Sequence, residues 1–562
     1  MVGVVTLLLV NASGTYLPLL ISRIIDNLQA SFELGPLLIQ VGFIALLASL
    51  MWIMRMGSRI ALFGVGRQVE FDLKQHLFEH LLRLEPSYFA THTTGDLISR
   101  ATSDVDNIRR LVGFAVLSFV NTFFAYIFTL PVMFSINLGL SLAAIAVYPF
   151  IMLLVRGFSE RLRSEQLAVQ DALSKLSDLI QEDMSGIALI KIYAQEENEQ
   201  REFTHLNQAL LNANLKLSKT RNTLFPILGG LASLSLLVLL WFGSRAIASG
   251  SISVGDFVAL ILYVERLIFP TALLGFTITA YQRGEVSIDR IESILTVEPV
   301  IQTAPNAIAL PLSAVKGKIQ ARHLTFAYPG RAQPALKDIS FEAEPGQTIA
   351  IVGPVGSGKS TLANALPRLL NIQPGQLFLD GQDITQLSLA DLRGAIAYVP
   401  QDSFLFSTTL KNNIRYSDPL AEQTEVEYAA KQAQVHDEIL NFPQTYETLA
   451  GERGIKLSGG QRQRTALARA LVADAPILIL DDALASVDNQ TATEILNNLT
   501  EGTQRKTVLF ISHQLSAAAI ADSILVMDQG EIVQSGTHED LIGQDGLYQT
   551  LWRQYQLKKE LV

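Results

Sequence analysis

The sequence predicts two halves of different construction: a six-span α-helical transmembrane part with long cytoplasmic helical loops, then an α/β part built on a parallel sheet. Three observations predict this. Six apolar stretches, at 1–22, 36–54, 111–135, 138–155, 223–247 and 254–280, fall before residue 300, and most reach the ~20 residues that a membrane helix requires. Two of the segments between them are long and rich in Lys and Arg. Beyond residue 300 the apolar runs shorten and end in polar residues, as buried parallel strands do. Composition agrees, with 49% hydrophobic and 17% charged residues and a mean hydropathy of +0.29. A chain of 562 residues is also too long for a single core.

The connections between spans are of two kinds. Those after spans one, three and five are short and nearly free of Lys and Arg. Segments 55–110 and 156–222 are basic, with Arg55, Arg59, Arg67, Lys74 and Arg83 in the first and Arg156, Arg161, Lys175, Lys191 and Lys216 in the second. The positive-inside rule makes both cytoplasmic, and an even span count then places both termini in the cytoplasm. Apolar residues recur at helical spacing through 69–82 and around Leu173, Leu176, Leu179 and Ile180. These loops are therefore predicted to be helices that run on from the spans and reach a second domain. Pro18, Pro131, Pro149, Pro226 and Pro270 fall inside spans, where a freed carbonyl permits a kink. Glu265 and Arg266 sit mid-span in the sixth stretch. Charges there face a cavity or a partner, so a substrate contact and an interhelical ion pair stand as equal readings. No cytoplasmic residues and no basic n-region precede the first span, so the sequence is expected to open inside its first membrane helix.

Several function classes are disfavoured. A formal net charge of −10 argues against a nucleic-acid partner, which needs a basic face. With no cysteine there is no disulfide, thiol catalysis or Cys-ligated metal. The eight histidines lack H-E-x-x-H spacing, so no metalloprotease-type site is visible.

Pro299, Pro305 and Pro311 among small residues mark 297–316 as a linker. It divides a transmembrane domain at 1–296 from a second domain at 317–562, which opens with an alternating strand at 318–326. The apolar strand 348–352 then runs into Gly353-Pro354-Val355-Gly356-Ser357-Gly358-Lys359-Ser360-Thr361 and a helix-like 362–366. Strand, glycine-rich loop and helix in that order are the context of a P-loop. Its glycines let backbone N–H groups close around phosphate oxygens. Lys359 reaches the β- and γ-phosphates, Ser360 offers Mg²⁺ a hydroxyl, and the helix N-terminus favours the anion. The chain is predicted to bind a nucleoside triphosphate. Two further apolar strands end at Asp481-Asp482 and at His513. In a doubly wound sheet ligands bind outside the carboxyl ends of the strands, so these residues should converge on the P-loop, with Asp481 the Mg²⁺ partner. Tyr328, in the turn Tyr328-Pro329-Gly330, offers adenine a flat ring. Leu457-Ser458-Gly459-Gly460-Gln461 opens a second helix with small residues and free N–H groups, hence a second anion site. Two domains meeting head to tail would use both sites.

Together these residues resemble the ATP-binding cassette (ABC) family, and six spans ahead of one cassette resemble a multidrug-type exporter half-transporter. On that resemblance Tyr328 stacks on adenine, Gly353 to Thr361 form the Walker A motif, and Ile477 to Asp481 the Walker B strand. Gln401, in Tyr398-Val399-Pro400-Gln401-Asp402, is the Q-loop glutamine and joins Ser360 and Asp481 as a Mg²⁺ partner. Leu457 to Gln461 are the signature, Asp488 the D-loop aspartate and His513 the switch histidine. The run Gly95 to Asp104 matches the family's first cytoplasmic loop. The resemblance implies coupling helices near Tyr88–Thr94 and Leu179–Met184, ATP and Mg²⁺ as cofactors, and a second half-transporter as partner. It also implies surrounding membrane lipid and a hydrophobic small-molecule cargo, while the acidic balance excludes nucleic acid and the absence of cysteines and of organellar targeting points to a bacterial cytoplasmic membrane.

Three positions depart from the family pattern. Asp482 stands where the catalytic glutamate is usual, one methylene shorter, and about 1 Å of misplacement costs on the order of 10²-fold. The D-loop reads Ala485-Ser486-Val487-Asp488, and Leu449 replaces a glutamate that touches the coupling helices. The Asp482 change resembles the degenerate-site subunit of heterodimeric exporters; a homodimer in which Asp482 works is the alternative. Asp482, His513, Gln401 and Lys359 are then the catalytic candidates. The implied function is ATP-driven export of hydrophobic or amphipathic compounds. A lipid or peptide exporter, and an ATP-gated channel or regulatory membrane subunit, are the alternatives.

Overall fold

The computed structural model describes the chain except for residues 1, 31, 332, 452, 453, 455, 501–504, 561 and 562. Two compact units are present: Met1–Leu82 with His92–Val297, and Arg83–Thr91 with Glu298–Val562.

The first unit is helical. Its principal helices are α1 (Val2–Ala30), α2 (Leu34–Leu81), α3 (Val116–Ile136), α4 (Tyr148–Ser185), α5 (Glu196–Ala248) and α6 (Val254–Leu295). Among the described residues five helical runs are long and apolar enough to cross a membrane: Val2–Ala30, Leu34–Leu81, Thr94–Ile136, Leu138–Ser185 and Val254–Leu295. The fifth expected stretch, 223–247, lies in α5, whose described apolar section is Ser233–Ala248. With 48 residues in α2 and 53 in α5, these helices reach ~70–80 Å. That far exceeds the ~30 Å hydrocarbon layer.

Small residues set the close approaches, as membrane helices require when water supplies no drive between them. A Cβ on Gly66 of α2 would lie 3.1 Å from the Arg109 carbonyl, and one on Gly284 of α6 would lie 2.7 Å from the Leu111 side chain. The run that ends in α3 is interrupted by two π-helical segments, Arg100–Asp104 and Leu111–Ala115. Around them a polar network ties this run to α6. Arg290 holds Asp96 at 2.7 Å and sits 3.0 Å from buried Asp104, while Ser287 donates to Asp104 at 2.8 Å. Arg100 donates to Asp96 at 2.8 Å and to the Arg290 carbonyl at 2.9 Å.

Two expectations for this unit are corrected, and one open question is narrowed. Leu179–Met184 is not a separate coupling helix but the last turns of α4. Gly186 ends α4 with its N–H on the Glu182 carbonyl, and the short helix follows at Ile187–Ile192. Pro149 kinks nothing: it occupies the first turn of α4, where a missing N–H is no loss. Of the two equal readings of Glu265 and Arg266, the ion pair is not seen among the described residues. Glu265 is exposed, and Arg266 donates instead to the Asn11 carbonyl at 2.8 Å.

The second unit includes the short helix Pro86–Thr91, close to the stretch 88–94 expected to couple. Glu85 accepts a hydrogen bond from the Val300 N–H at 3.4 Å. Most of 297–316 is exposed, but Ile301 and Leu310 are anchored in the core. Leu310 is buried in the core and its N–H donates to Asp391 at 3.0 Å. A small antiparallel sheet has β1 (Ile319–Phe326) between β2 (Leu336–Ala343) and β4 (Leu377–Leu379), with β5 (Gln382–Asp383) at its edge. The main sheet contains β3 (Thr348–Val352), β6 (Ile396–Val399), β7 (Ile477–Asp481), β8 (Thr507–Ile511), β9 (Ser523–Asp528) and β10 (Glu531–Gly536), in the order β10-β9-β3-β8-β7-β6. Period-2 alternation divides its buried side chains between two cores. Ala350, Val352, Leu478, Leu480, Val508 and Phe510 join one, and Ile349, Ile351, Ile477, Ile479, Leu509 and Ile511 the other.

Arg290→Ala should lower stability by about 1–3 kcal/mol, the cost of leaving a buried carboxylate without its charged partner. Thermal unfolding of the purified protein, with Arg290→Lys retaining part of the loss, checks this.

Candidate nucleotide site

Strands β3, β6, β7 and β8 are parallel, with β8 hydrogen-bonded between β3 and β7. Their carboxyl ends therefore open on one edge of the sheet. The P-loop leaves β3, Asp481 ends β7, and His513 and Gln401 each stand two residues beyond β8 and β6.

The loop geometry explains two of its glycines. Gly353 has φ +149° and a Cβ there would collide with the Met527 carbonyl; Gly358 has φ +97° and its Cβ would lie 2.6 Å from the Ala335 carbonyl. Only glycine meets both the backbone angle and the space. Pro354 and Val355 form the outer part of the loop, where Val355 is 90% exposed, and Gly356 follows at φ +83°. Gly358 then caps α7 (Lys359–Ala365).

Lys359 is buried, and its ammonium donates to the carbonyls of Gly353 at 2.9 Å and Pro354 at 2.8 Å, with Ser357 Oγ at 3.4 Å. Burial pulls it below the ordinary lysine range, and the charges of Asp482 and Asp481 oppose that. Ser360 Oγ donates to Asp481 Oδ1 at 2.9 Å. Tyr328 bonds Thr361 Oγ1 at 3.2 Å, and its ring meets Phe326 edge-on.

Asp481 and Asp482 are both buried. Burial raises each above the usual aspartate range; hydrogen bonds from Ser360 and Tyr398 oppose this at Asp481, and neighbouring His513 opposes it at Asp482. Asp482 has φ +49°, a left-handed conformation that aspartate adopts more readily than most residues, and its N–H donates to the Ile511 carbonyl at 3.2 Å. Two buried carboxylates held above their usual pKa, beside a buried ammonium, form a site short of positive charge on the carboxylate side. Mg²⁺ fits the oxygen donors Ser360 and Asp481, since it binds through one or two protein oxygens together with substrate phosphates.

The signature and D-loop form a separate cluster. Ser458 caps α8 (Gly459–Val472), its Oγ accepting from Gln461 N–H at 3.2 Å, while Gln461 Oε1 accepts from Ser458 N–H at 2.9 Å. A Cβ on Gly460 would lie 2.9 Å from the Ser486 carbonyl, and Gly459 also faces Ser486. Gln463 accepts from Ser486 N–H at 2.8 Å. Asp488 accepts from Thr491 N–H at 3.0 Å in the first turn of α9 (Asn489–Thr500). Hydrogen bonds from Thr491 hold it below the usual aspartate range.

Some expected site residues stand apart. The Leu457 side chain is buried in the core and not offered to a ligand. Gln401 is exposed and makes no side-chain hydrogen bond among the described residues. No hydrogen bond among the described residues joins Leu457–Gln461 to the P-loop of the same chain. Sequence alone assigns no role to one further participant: the Tyr398 hydroxyl of β6 lies 2.9 Å from Asn364 Oδ1 and 3.3 Å from Asp481 Oδ2, which share its single proton. Burial and the adjacent Asp481 push its phenol pKa up. The available signal was a lone polar ring in a four-residue apolar strand ending at the site edge.

A helical membrane unit joined to a P-loop α/β unit, with a second capped helix N-terminus at Ser458–Gln461 that makes no hydrogen bond to the P-loop among the described residues, defines an ATP-driven transporter of the cassette class. Residues 1–271 match the ABC transporter transmembrane region and residues 336–485 the ABC transporter domain. The chain is 34% identical over 558 residues to the probable multidrug resistance ABC transporter ATP-binding/permease protein YheI of Bacillus subtilis, covering 99% of this chain and 95% of that one. It is 33% identical over 562 residues to the multidrug resistance-like ATP-binding protein MdlA of Escherichia coli, covering 100% and 95%. To the ATP-dependent lipid A-core flippase of Syntrophus aciditrophicus it is 34% identical over 498 residues, 89% and 82% of the two chains. The structure of a bacterial Atm1-family ABC exporter with ATP bound matches with a TM-score of 0.79 and 28% identity, over 98% of each chain. The chain belongs to the ABC transporter family, as an exporter-type half-transporter with its ATPase domain on the same polypeptide.

Tyr398→Phe removes a hydrogen bond to a buried carboxylate, an interaction worth about 1.5–3 kcal/mol. ATP turnover should fall about tenfold or more while ATP affinity changes about threefold or less. Phosphate release and equilibrium nucleotide binding, measured on one preparation, separate the two.

Proposed function

We propose that this chain exports hydrophobic or amphipathic compounds across the bacterial inner membrane as one subunit of a heterodimer. In that heterodimer its own Walker site binds ATP·Mg²⁺ but hydrolyses it slowly. The observation that carries this reading is Asp482. Its carboxylate occupies the end of β7, next to Lys359 and His513, yet reaches one methylene less far than the family's glutamate. A water attacking the γ-phosphate in line is then poorly placed. The intact Ser458–Gln461 segment, with Ser458 exposed and Gly459 and Gly460 set against Ser486, is suited to complete the partner's site. Mg²⁺ would be held by Ser360 and Asp481, and Lys359 would exchange its two carbonyl partners for phosphate oxygens. Tyr328 would stack on adenine, His513 would orient the γ-phosphate, and Gln401 would report the metal site to the membrane unit. Both termini lie in the cytoplasm on this reading.

The names of the relatives support export, the Bacillus and Escherichia proteins as multidrug resistance transporters. The flippase relative favours a second reading, a lipid as cargo.

ATP turnover of the purified chain in lipid nanodiscs, alone and with the cassette subunit encoded beside it, tests the assignment. Turnover should be negligible alone and appear with the partner. Fast turnover alone would replace the heterodimer by a homodimer in which Asp482 works. Asp482→Glu should raise turnover at this chain's own site at least about tenfold. ATP-dependent uptake of a hydrophobic dye into inside-out vesicles tests export; ATP-dependent ionic current without uptake would establish a channel instead.

A further inference from the structure

The loop 482–488 leads from β7 to α9, and its main chain is held from two sides. At its start the Asp482 N–H donates to the Ile511 carbonyl at 3.2 Å, and the Asp482 carboxylate accepts a hydrogen bond from the His513 backbone. Two tight turns follow, from Ala485 N–H to the Asp482 carbonyl at 3.2 Å and from Val487 N–H to the Leu484 carbonyl at 3.0 Å. Near its end the Val487 carbonyl accepts from Gln514 Nε2 at 3.2 Å. On the signature side the Ser486 N–H donates to Gln463 Oε1 at 2.8 Å. Gln463 is a buried residue of α8, one turn beyond Gly459.

Gln514 follows His513, and its own backbone fixes it for this contact. Its N–H donates to Ser512 Oγ at 2.9 Å, and the Ser512 hydroxyl donates to its carbonyl at 3.2 Å. The same carbonyl accepts from Ala517 and Ala518 N–H at 3.2 and 3.3 Å, in the short helix Leu515–Ala518. The side-chain Oε1 is enclosed, yet it lacks a hydrogen-bond partner among the described residues. Leaving an acceptor dry and ordering a long side chain both cost free energy. An apolar side chain of the same length would avoid the first cost, so the amide is kept there for its donor.

We infer that Gln514 is a positioning residue for the signature. Its donor holds the Val487 carbonyl beside His513, which sets the Ser486 N–H against Gln463. Gly459 and Gly460 then close on Ser486, where a Cβ on Gly460 would lie 2.9 Å from the Ser486 carbonyl. Val487 and Leu515 share one apolar core behind this contact. No hydrogen bond among the described residues joins Gln514 to the P-loop or to Asp481, so its effect runs through the loop alone. The inference rests on the reading that Ser458–Gln461 completes a second cassette's ATP site, and it names a residue on which that presentation depends.

Amide hydrogen exchange of the nucleotide-free full chain in lipid nanodiscs tests this, because the Ser486 amide reports opening of the loop directly. Gln514→Met, of equal length and without a donor, should speed exchange across 485–488 about tenfold, the scale of one lost hydrogen bond. Exchange across 353–361 should stay as in wild type. Gln514→Arg keeps an N–H at the same place along the side chain and should hold the wild-type rate. Gln463→Met should open the same segment from the other side, and in the double variant the two effects should not multiply, since both release one loop. Three outcomes overturn the proposal: unchanged exchange in Gln514→Met, equally fast exchange in Gln514→Arg, or a double variant whose effect is the product of the singles. If Gln514→Met does not fold, Gln514→Ala takes its place under the same criteria. Turnover is the second readout. With the cassette subunit encoded beside this chain, Gln514→Met should lower kcat about tenfold and leave half-saturation by ATP within about twofold. Full kcat in a variant whose 485–488 segment has opened overturns the proposal. Wild-type turnover with and without that subunit is measured first, so a failure of the heterodimer reading shows before any variant is compared. The exchange experiment needs no partner and decides the positioning role by itself.

Discussion

The hydrogen bond from Ser360 to Asp481, 2.9 Å long, is the contact on which the nucleotide-binding unit turns. Asp481 ends β7 and Ser360 lies in the helix that follows β3, and those two strands do not pair. The two residues meet only because β8, from much later in the chain, inserts between β3 and β7 in parallel register. Remove that insertion and the P-loop and the carboxylate pair lose their common edge. The insertion is stable because alternate residues of each strand feed two separate apolar cores, one on each face of the sheet, so a register slip of one residue would exchange the faces. Tyr398 adds a third strand to the site by bonding Asp481 from β6.

The membrane unit obeys a different constraint. Lipid tails are as apolar as leucine, so packing between helices depends on small residues and polar contacts. Gly66, Gly284 and Gly14 admit a backbone, a leucine and a guanidinium respectively. The Asp96, Asp104 and Arg290 network lies beside two π-helical segments, and such segments shift the face that a helix presents. Polar groups here therefore fix helix rotation, which hydrophobic patterning leaves loose.

The same division separates what was readable from what was not. The P-loop was legible because its function needs a local sequence: strand, glycines with positive φ, lysine, helix. The signature helix was legible for a similar reason, since Ser458 and Gln461 cap each other within four residues. The burial of the Leu457 side chain was not legible, because a motif position says nothing of which way a side chain faces. The second coupling helix was placed early, since apolar periodicity continues through Leu179 to Met184 and the stop comes only at Gly186. Pro149 read as a kink because the break between Leu138–Ile145 and α4 lies inside one continuous apolar stretch. Tyr398 had no assigned role, as its partners stand 34 and 83 positions away.

By itself the sequence determined the class of each half, the phosphate-binding loop, the carboxylate pair and the departure at Asp482. Each depends on residue type or on spacing within one element. Only the tertiary structure decided that β8 joins the P-loop to Asp481, that Ser486 packs between the signature and the D-loop, and that Arg266 donates to Asn11. Those outcomes depend on which elements become neighbours. Neighbours are chosen by the burial of whole faces, a sum over distant residues that no short motif contains.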